Sequence, residues 1–174
     1  AWFPVPPVVV CVGHLVDRPG RPVPRFPPGL EPAVRQAIDA RLRATGVGCG
    51  FAAAACGADI LFFEAIEALG ADAHVVLPYN ERQFLEDSVD TGVGGDWVAR
   101  YRRVVARATE VVVASDQRMP EGGASFEYGF RMLDGLASVR ADEMDGEPVC
   151  LAVWDGRPGD GAGEVVLDLE PVGQ

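Results

Sequence analysis

Two carboxylates, Asp116 and Glu127, are the side chains in this sequence best suited to chemistry. The apolar run of residues 111–114 predicts a strand buried on both faces, and Asp116 follows it closely. Ligands of open parallel sheets bind at the carboxyl ends of the strands, so we expect both carboxylates to face one pocket there. The simpler alternative is that Asp116 only caps a turn and Glu127 only complements a helix dipole.

The segment between these carboxylates predicts a loop and the start of a helix. Ser115 ends the strand, Gly122 and Gly123 break regular structure, and Ser125 is placed to cap the helix that follows. The amides exposed at such a helix start favour an anion or a sugar hydroxyl. We therefore count Ser115, Gly122, Gly123 and Ser125 among the candidate ligand-binding residues.

A second candidate region surrounds the end of the first predicted strand, residues 8–13. Gly13 would let a ligand approach the backbone closely, and His14 follows it. Residues 17–30 are rich in proline and arginine and predict an irregular loop at the same edge. This loop could close over the pocket as a lid, or it could be a plain surface excursion.

The turn after the second predicted strand supplies the remaining candidates. Ala54, Cys56 and Gly57 form a tight turn of small residues. Asp59 falls in the first turn of the next helix, which is apolar almost all round and is therefore expected to be buried. We expect these four residues to lie near the same pocket.

The alternation of apolar strands and helices predicts an α/β fold. We expect a single doubly wound Rossmann-like domain over residues 1–174, with a mainly parallel five- to six-stranded sheet and helices on both faces. Right-handed crossovers favour the strand order 3-2-1-4-5, which places the pocket between Gly13-His14 and Ser115-Asp116. Residues 155–174 are expected to form an edge segment, with a sixth strand over 165–169.

Composition excludes several classes of function. The chain has 174 residues and a formal net charge of -11, which argues against nucleic acid as a partner. All of its basic residues are arginine, so lysine chemistry is absent. Four scattered cysteines and two histidines predict free thiols in a reducing cytoplasm, with neither a metal site nor a cofactor. No apolar run is long enough to predict a membrane span.

The start of the sequence also carries an expectation. It lacks methionine and has no basic region followed by an apolar one, so we expect a part of a larger protein and not a signal peptide. Homo-oligomerisation remains open.

Two segments together resemble the superfamily that joins the SLOG domains, Rossmann-like domains of the DprA and LOG type, to the nucleoside 2-deoxyribosyltransferases. Residues 53–59, with the sequence AAACGAD, resemble the SLOG pattern of a small-residue turn and Gly-Ala-Asp, and a strand ending in Pro78 follows. Residues 116–129 are similar to the deoxyribosyltransferase run of Asp, a loop and Gly-Thr-x-Phe-Glu-x-Gly, with Ala124 in place of the threonine. The resemblance covers roughly residues 8–154.

The resemblance implies a site for a nucleotide or a nucleoside derivative. It assigns action at C1′ of the sugar to Glu127 and handling of the base to Asp116. Three functions follow as hypotheses: a nucleotide-sensing domain without turnover, an N-glycosidic hydrolase or transferase with Glu127 as its catalytic carboxylate, and a structural interaction domain. The missing threonine favours the first.

Overall fold

The computed structural model describes residues 4–121 and 123–157, which form an α/β fold around one five-stranded sheet. All four strand pairings are parallel. The strands are β1 (Val8–Gly13), β2 (Cys49–Ala52), β3 (Asp72–Leu77), β4 (Glu110–Val113) and β5 (Val149–Val153). The helices are α1 (Glu31–Thr45), α2 (Ala58–Ala68), α3 (Glu81–Ser88), α4 (Trp97–Arg107) and α5 (Ala124–Asp142), and a 3-10 turn over Pro28–Leu30 precedes α1.

Helices cover both faces of the sheet, as predicted for a Rossmann-like domain. Apolar side chains of α1, α2, α3 and α4 share one core cluster with residues such as Val9 and Val75 of the sheet. Residues Leu133, Ala137 and Ala141 of α5 form a second cluster with sheet residues such as Val10. Neighbouring strand residues point to opposite faces, so β1 contributes to both clusters.

The predicted strand order 3-2-1-4-5 is wrong, because the observed order is β4-β3-β2-β1-β5. Strand β4 pairs with β3 at one edge, and β5 lies beside β1, with Gly13 opposite Val153. The chain therefore continues outward for one strand more than predicted before α5 returns it to the other side of β1. The strand order reverses between β1 and β5.

The expectation that β4 is buried on both faces is also wrong. Val111 and Val113 are 39% and 45% exposed, since β4 is an edge strand and neither side chain belongs to a core cluster. Only Val112 packs against the α5 cluster. A short apolar run fits an edge strand as well as a central one, because the sequence shows side-chain types and not neighbours.

Most of the predicted C-terminal edge segment, including the sixth strand over 165–169, lies outside the described residues. None of the helices in the described ranges is both long enough and apolar enough to cross a membrane.

Candidate functional site

A cleft of about 470 Å³ opens at the carboxyl end of β1. Since the strand order reverses beside β1, the cleft lies at the topological switch point, where open α/β sheets bind their ligands. Among the described residues, those that line it all fall between positions 13 and 21 and include two arginines: Gly13, His14, Leu15, Val16, Arg18, Pro19, Gly20 and Arg21.

Gly13 is required by the close approach of two other elements. A Cβ atom built on it would lie 2.4 Å from Cβ of Ala58 at the start of α2 and 2.8 Å from Cβ of Val153 at the end of β5. A side chain here would force these elements apart. The glycine therefore lets α2 and β5 meet directly behind the cleft wall.

The turn after β2 is joined to the cleft wall by backbone hydrogen bonds. The amide of Ala58 donates to the His14 oxygen at 3.2 Å, and the amide of Val16 donates to the Cys56 oxygen at 3.1 Å. Gly57 has a φ of 121°, and a Cβ on it would lie 2.7 Å from the His14 oxygen. The structure thus brings Gly13, His14, Cys56 and Gly57 together.

Two amides at the start of α2 are not open to a phosphate, because they already donate to other backbone oxygens. The Cys56 amide donates to the carbonyl oxygen of Ser88 at 2.8 Å, and the Ala58 amide donates to the carbonyl oxygen of His14. The start of α5 lies elsewhere, because Gly129 packs tightly against Pro78 at the end of β3. The two helix starts therefore do not converge on the cleft.

Asp59 is a buried carboxyl group in the first turn of α2. Burial raises its pKa to about 7, even though its Oδ2 accepts a hydrogen bond from the Ala55 amide at 3.1 Å, which lowers the pKa. The connection between β2 and α2 contains Ala54, a buried non-glycine residue with a φ of 73°. A titrating carboxyl beside a strained turn is a setting more common at functional sites than elsewhere.

Sequence reasoning missed Asp155, which the pairing of β5 with β1 brings beside His14. Its Oδ1 lies 3.6 Å from Nε2 of His14 and 3.6 Å from Nη1 of Arg25. Burial lowers the pKa of His14, so the ring is neutral at pH 7. A signal was present in the sequence, since Asp155 closely follows an apolar strand, but the strand's position in the sheet was not predictable.

The proline-rich loop, residues 17–30, is anchored at several points. Oδ2 of Asp17 accepts hydrogen bonds from the amides of Arg25 and Phe26 at 2.8 and 2.9 Å, and the Phe26 ring is buried in the core. Arg18 donates from Nη2 to the backbone carbonyl oxygen of Asp87 at 2.8 Å. These contacts hold residues 18–21 in place as one wall of the cleft.

Ser115 and Asp116 lie at the end of β4, so two strands, β3 and β2, separate them from Gly13. The Ser115 hydroxyl bonds to the backbone of Gln117, and the Asp116 carbonyl oxygen accepts from Nδ2 of Asn80 at 2.9 Å. The structure therefore does not bring Ser115-Asp116 together with Gly13-His14.

Glu127 lies on an exposed part of the first turn of α5, where its Oε1 pairs with Nη2 of Arg131 at 2.6 Å. Gly123, and not Ser125, is the N-cap residue of this helix. The buried Ser125 hydroxyl instead accepts from the Met119 amide at 2.7 Å and so holds the loop before the helix. Gly122 lies outside the described residues.

In the described part of the chain, no group of three or more His, Cys, Asp or Glu side chains could hold a metal ion. Comparison with known proteins found no family model that matches the chain and no similar curated protein.

Proposed function

We propose that the protein binds a nucleotide or nucleotide derivative in the cleft at the end of β1 and acts as a sensor-type domain without turnover. The observation that carries this proposal is the position of the cleft at the reversal of strand order, with Arg18 and Arg21 in its wall. A crevice of this kind is the common ligand site of open α/β sheets.

Arg18 is the residue best placed to bind a phosphate. Its guanidinium has five N–H donors in a fixed plane, and the backbone carbonyl oxygen of Asp87 accepts from Nη2. That bond limits the rotation of the side chain, so less conformational entropy is lost when an anion binds. The adjacent Pro19 and the anchored loop restrict the backbone in the same way.

Binding without turnover is favoured over hydrolysis by the setting of Glu127. Its carboxylate is exposed and paired with Arg131, in a helix turn close to the end of β3, and β2 separates that strand from β1 and Gly13. An N-glycosidic hydrolase or transferase that uses Glu127 stays a hypothesis. It predicts that the native chain releases free base from a nucleoside monophosphate and that the Glu127→Gln variant does not.

The test measures binding of AMP, GMP, CMP and UMP and of the four matching nucleosides by calorimetry and thermal shift. We expect at least one monophosphate to bind more tightly than its nucleoside. In Arg18→Gln, the ratio of the two affinities should fall about tenfold. Arg82→Gln is the matched control, because Arg82 is an exposed arginine whose ion pair is with Glu86 on the same helix. Absence of binding by all four monophosphates at millimolar concentration would refute the proposal.

A further inference from the structure

Asp87, in the last turn of α3, holds two arginines that follow different strands of the sheet. Arg18, which follows β1 and lines the cleft, donates from Nη2 to the backbone carbonyl oxygen of Asp87 at 2.8 Å. Arg118, which follows β4, donates from Nη1 to both carboxylate oxygens of Asp87 at 2.7 and 2.6 Å. Because both arginines contact the same aspartate, their guanidinium groups lie close to each other at the α3 side of the cleft.

Both arginines keep hydrogen-bond donors that no described residue occupies. In Arg118 these include Nε and Nη2, which together form one fork of the guanidinium group. The same pair of nitrogens in Arg100 binds both carboxylate oxygens of Glu64. In Arg18 the unoccupied donors include Nε and Nη1. The side chain of Arg118 is 48% exposed and Arg18 is also exposed, so a ligand can reach both.

The groups around Asp87 carry an excess of positive charge, because two guanidinium groups surround one carboxylate. Burial raises the pKa of Asp87, but hydrogen bonds from Arg118 and the Tyr79 hydroxyl, with the charges of both arginines, outweigh burial and lower the pKa. Asp87 is therefore ionised at neutral pH and keeps both arginines in place. Glu86, another acidic side chain near Arg118, is already paired on its own helix.

We propose that Arg118 supplies a second guanidinium group to the ligand of the cleft, and that this ligand is a nucleoside 5′-diphosphate. This inference rests on the proposed nucleotide function and names the class of nucleotide. Arg18 binds the phosphate group next to the sugar. Arg118 binds the terminal phosphate group through Nε and Nη2, while its Nη1 keeps the bonds to Asp87. A guanidinium fork binds two oxygens of one phosphate group, so two arginines match two phosphate groups.

The experiment compares AMP, GMP, CMP and UMP with ADP, GDP, CDP and UDP by calorimetry, with EDTA present so that no divalent cation contributes. For at least one base, we expect the native chain to bind the diphosphate at least about tenfold more tightly, as for hydrogen bonds between charged groups. In Arg118→Gln this ratio should fall toward one while the monophosphate keeps its affinity. Arg118→Lys, which keeps the charge and loses the fork, should retain only part of the ratio.

The matched control is Arg82→Gln, which removes the same charge from an exposed position of α3 and should leave the ratio unchanged. An equal fall of the ratio in this control would show a general effect of charge and would overturn the inference. An equal loss of affinity for both nucleotides in Arg118→Gln, with the ratio unchanged, would overturn it by showing that Arg118 only supports Asp87.

The remaining outcomes separate the two proposals. Equal affinity of the native chain for monophosphates and diphosphates would overturn the diphosphate inference and leave nucleotide binding intact. Failure of every nucleotide to bind would overturn both proposals. Thermal unfolding of each variant, measured without ligand, excludes misfolding as the cause of any loss.

Discussion

Replacing Asp59 with asparagine should stabilise the protein at neutral and alkaline pH. Folding raises the pKa of this carboxyl from 3.8 to about 7 by burying it. Because the folded state prefers the protonated form, the group stabilises the fold. This contribution is complete below the unfolded pKa of 3.8 and is lost as the pH rises through the folded pKa of about 7. Asparagine keeps an oxygen that can accept from the Ala55 amide, and it does not titrate.

The magnitude follows from the size of the shift. Each pKa unit corresponds to about 1.4 kcal/mol, so a shift from 3.8 to about 7 makes ionised Asp59 cost roughly 4 kcal/mol of folding free energy. Between pH 5 and pH 8, we expect native stability to fall by roughly 3 kcal/mol relative to Asp59→Asn. All other titrating groups are shared by the two proteins, so the pH dependence of the difference in unfolding free energy reports on Asp59.

The assay is urea unfolding of both proteins at pH 5, 6, 7 and 8, with equal m-values required for the comparison. Asp90→Asn, at an exposed position, is the control and should give a difference that does not change with pH. A stability difference for Asp59→Asn that stays constant from pH 5 to pH 8, or that changes in the opposite direction, would refute the reasoning.

Two further changes test the packing behind the site. Gly57→Val should destabilise the protein by more than about 2 kcal/mol in urea unfolding, because the residue has a φ of 121° and its Cβ would lie 2.7 Å from the His14 oxygen; an unchanged midpoint would contradict this. Arg100→Leu should cost about 3 kcal/mol, because the buried guanidinium bonds to both carboxylate oxygens of Glu64 at 2.7 and 2.8 Å. Arg107→Leu, which removes an exposed ion pair, should cost under about 1 kcal/mol, and equal losses in the two arginine variants would refute the argument.

Local signals in the sequence predicted the parts of the fold that depend on local interactions. The apolar run before Gly13 predicts β1, and the continuous apolar face of residues 60–66 predicts the buried helix α2. Asn80, a residue type favoured at the N-cap of a helix, accepts a hydrogen bond from the Gln83 amide at the start of α3. These features depend only on residues close in the chain. For that reason the sequence could predict a site beside Gly13-His14.

The order in which the strands pair could not be predicted from the sequence, because it depends on contacts between residues far apart in the chain. Right-handed crossovers allow the chain to reverse after the third strand or after the fourth. The observed reversal is fixed by α5 packing over β1, β2 and β3 and by β5 pairing with β1 from Val9 to Gly13. The same contacts bring Asp155 beside His14 and leave Asp116 at the end of β4, with β3 and β2 between that strand and β1.

The net charge of -11 and the arginines of the cleft wall lead to one conclusion about ligand size. A small anion responds mainly to charges within a Debye length, about 8–10 Å, and Arg18 and Arg21 line the cleft itself. A long polyanion would extend beyond this region and meet the acidic surface, which repels it. The proposed site therefore favours a mononucleotide or a similarly small phosphate ester over an oligonucleotide.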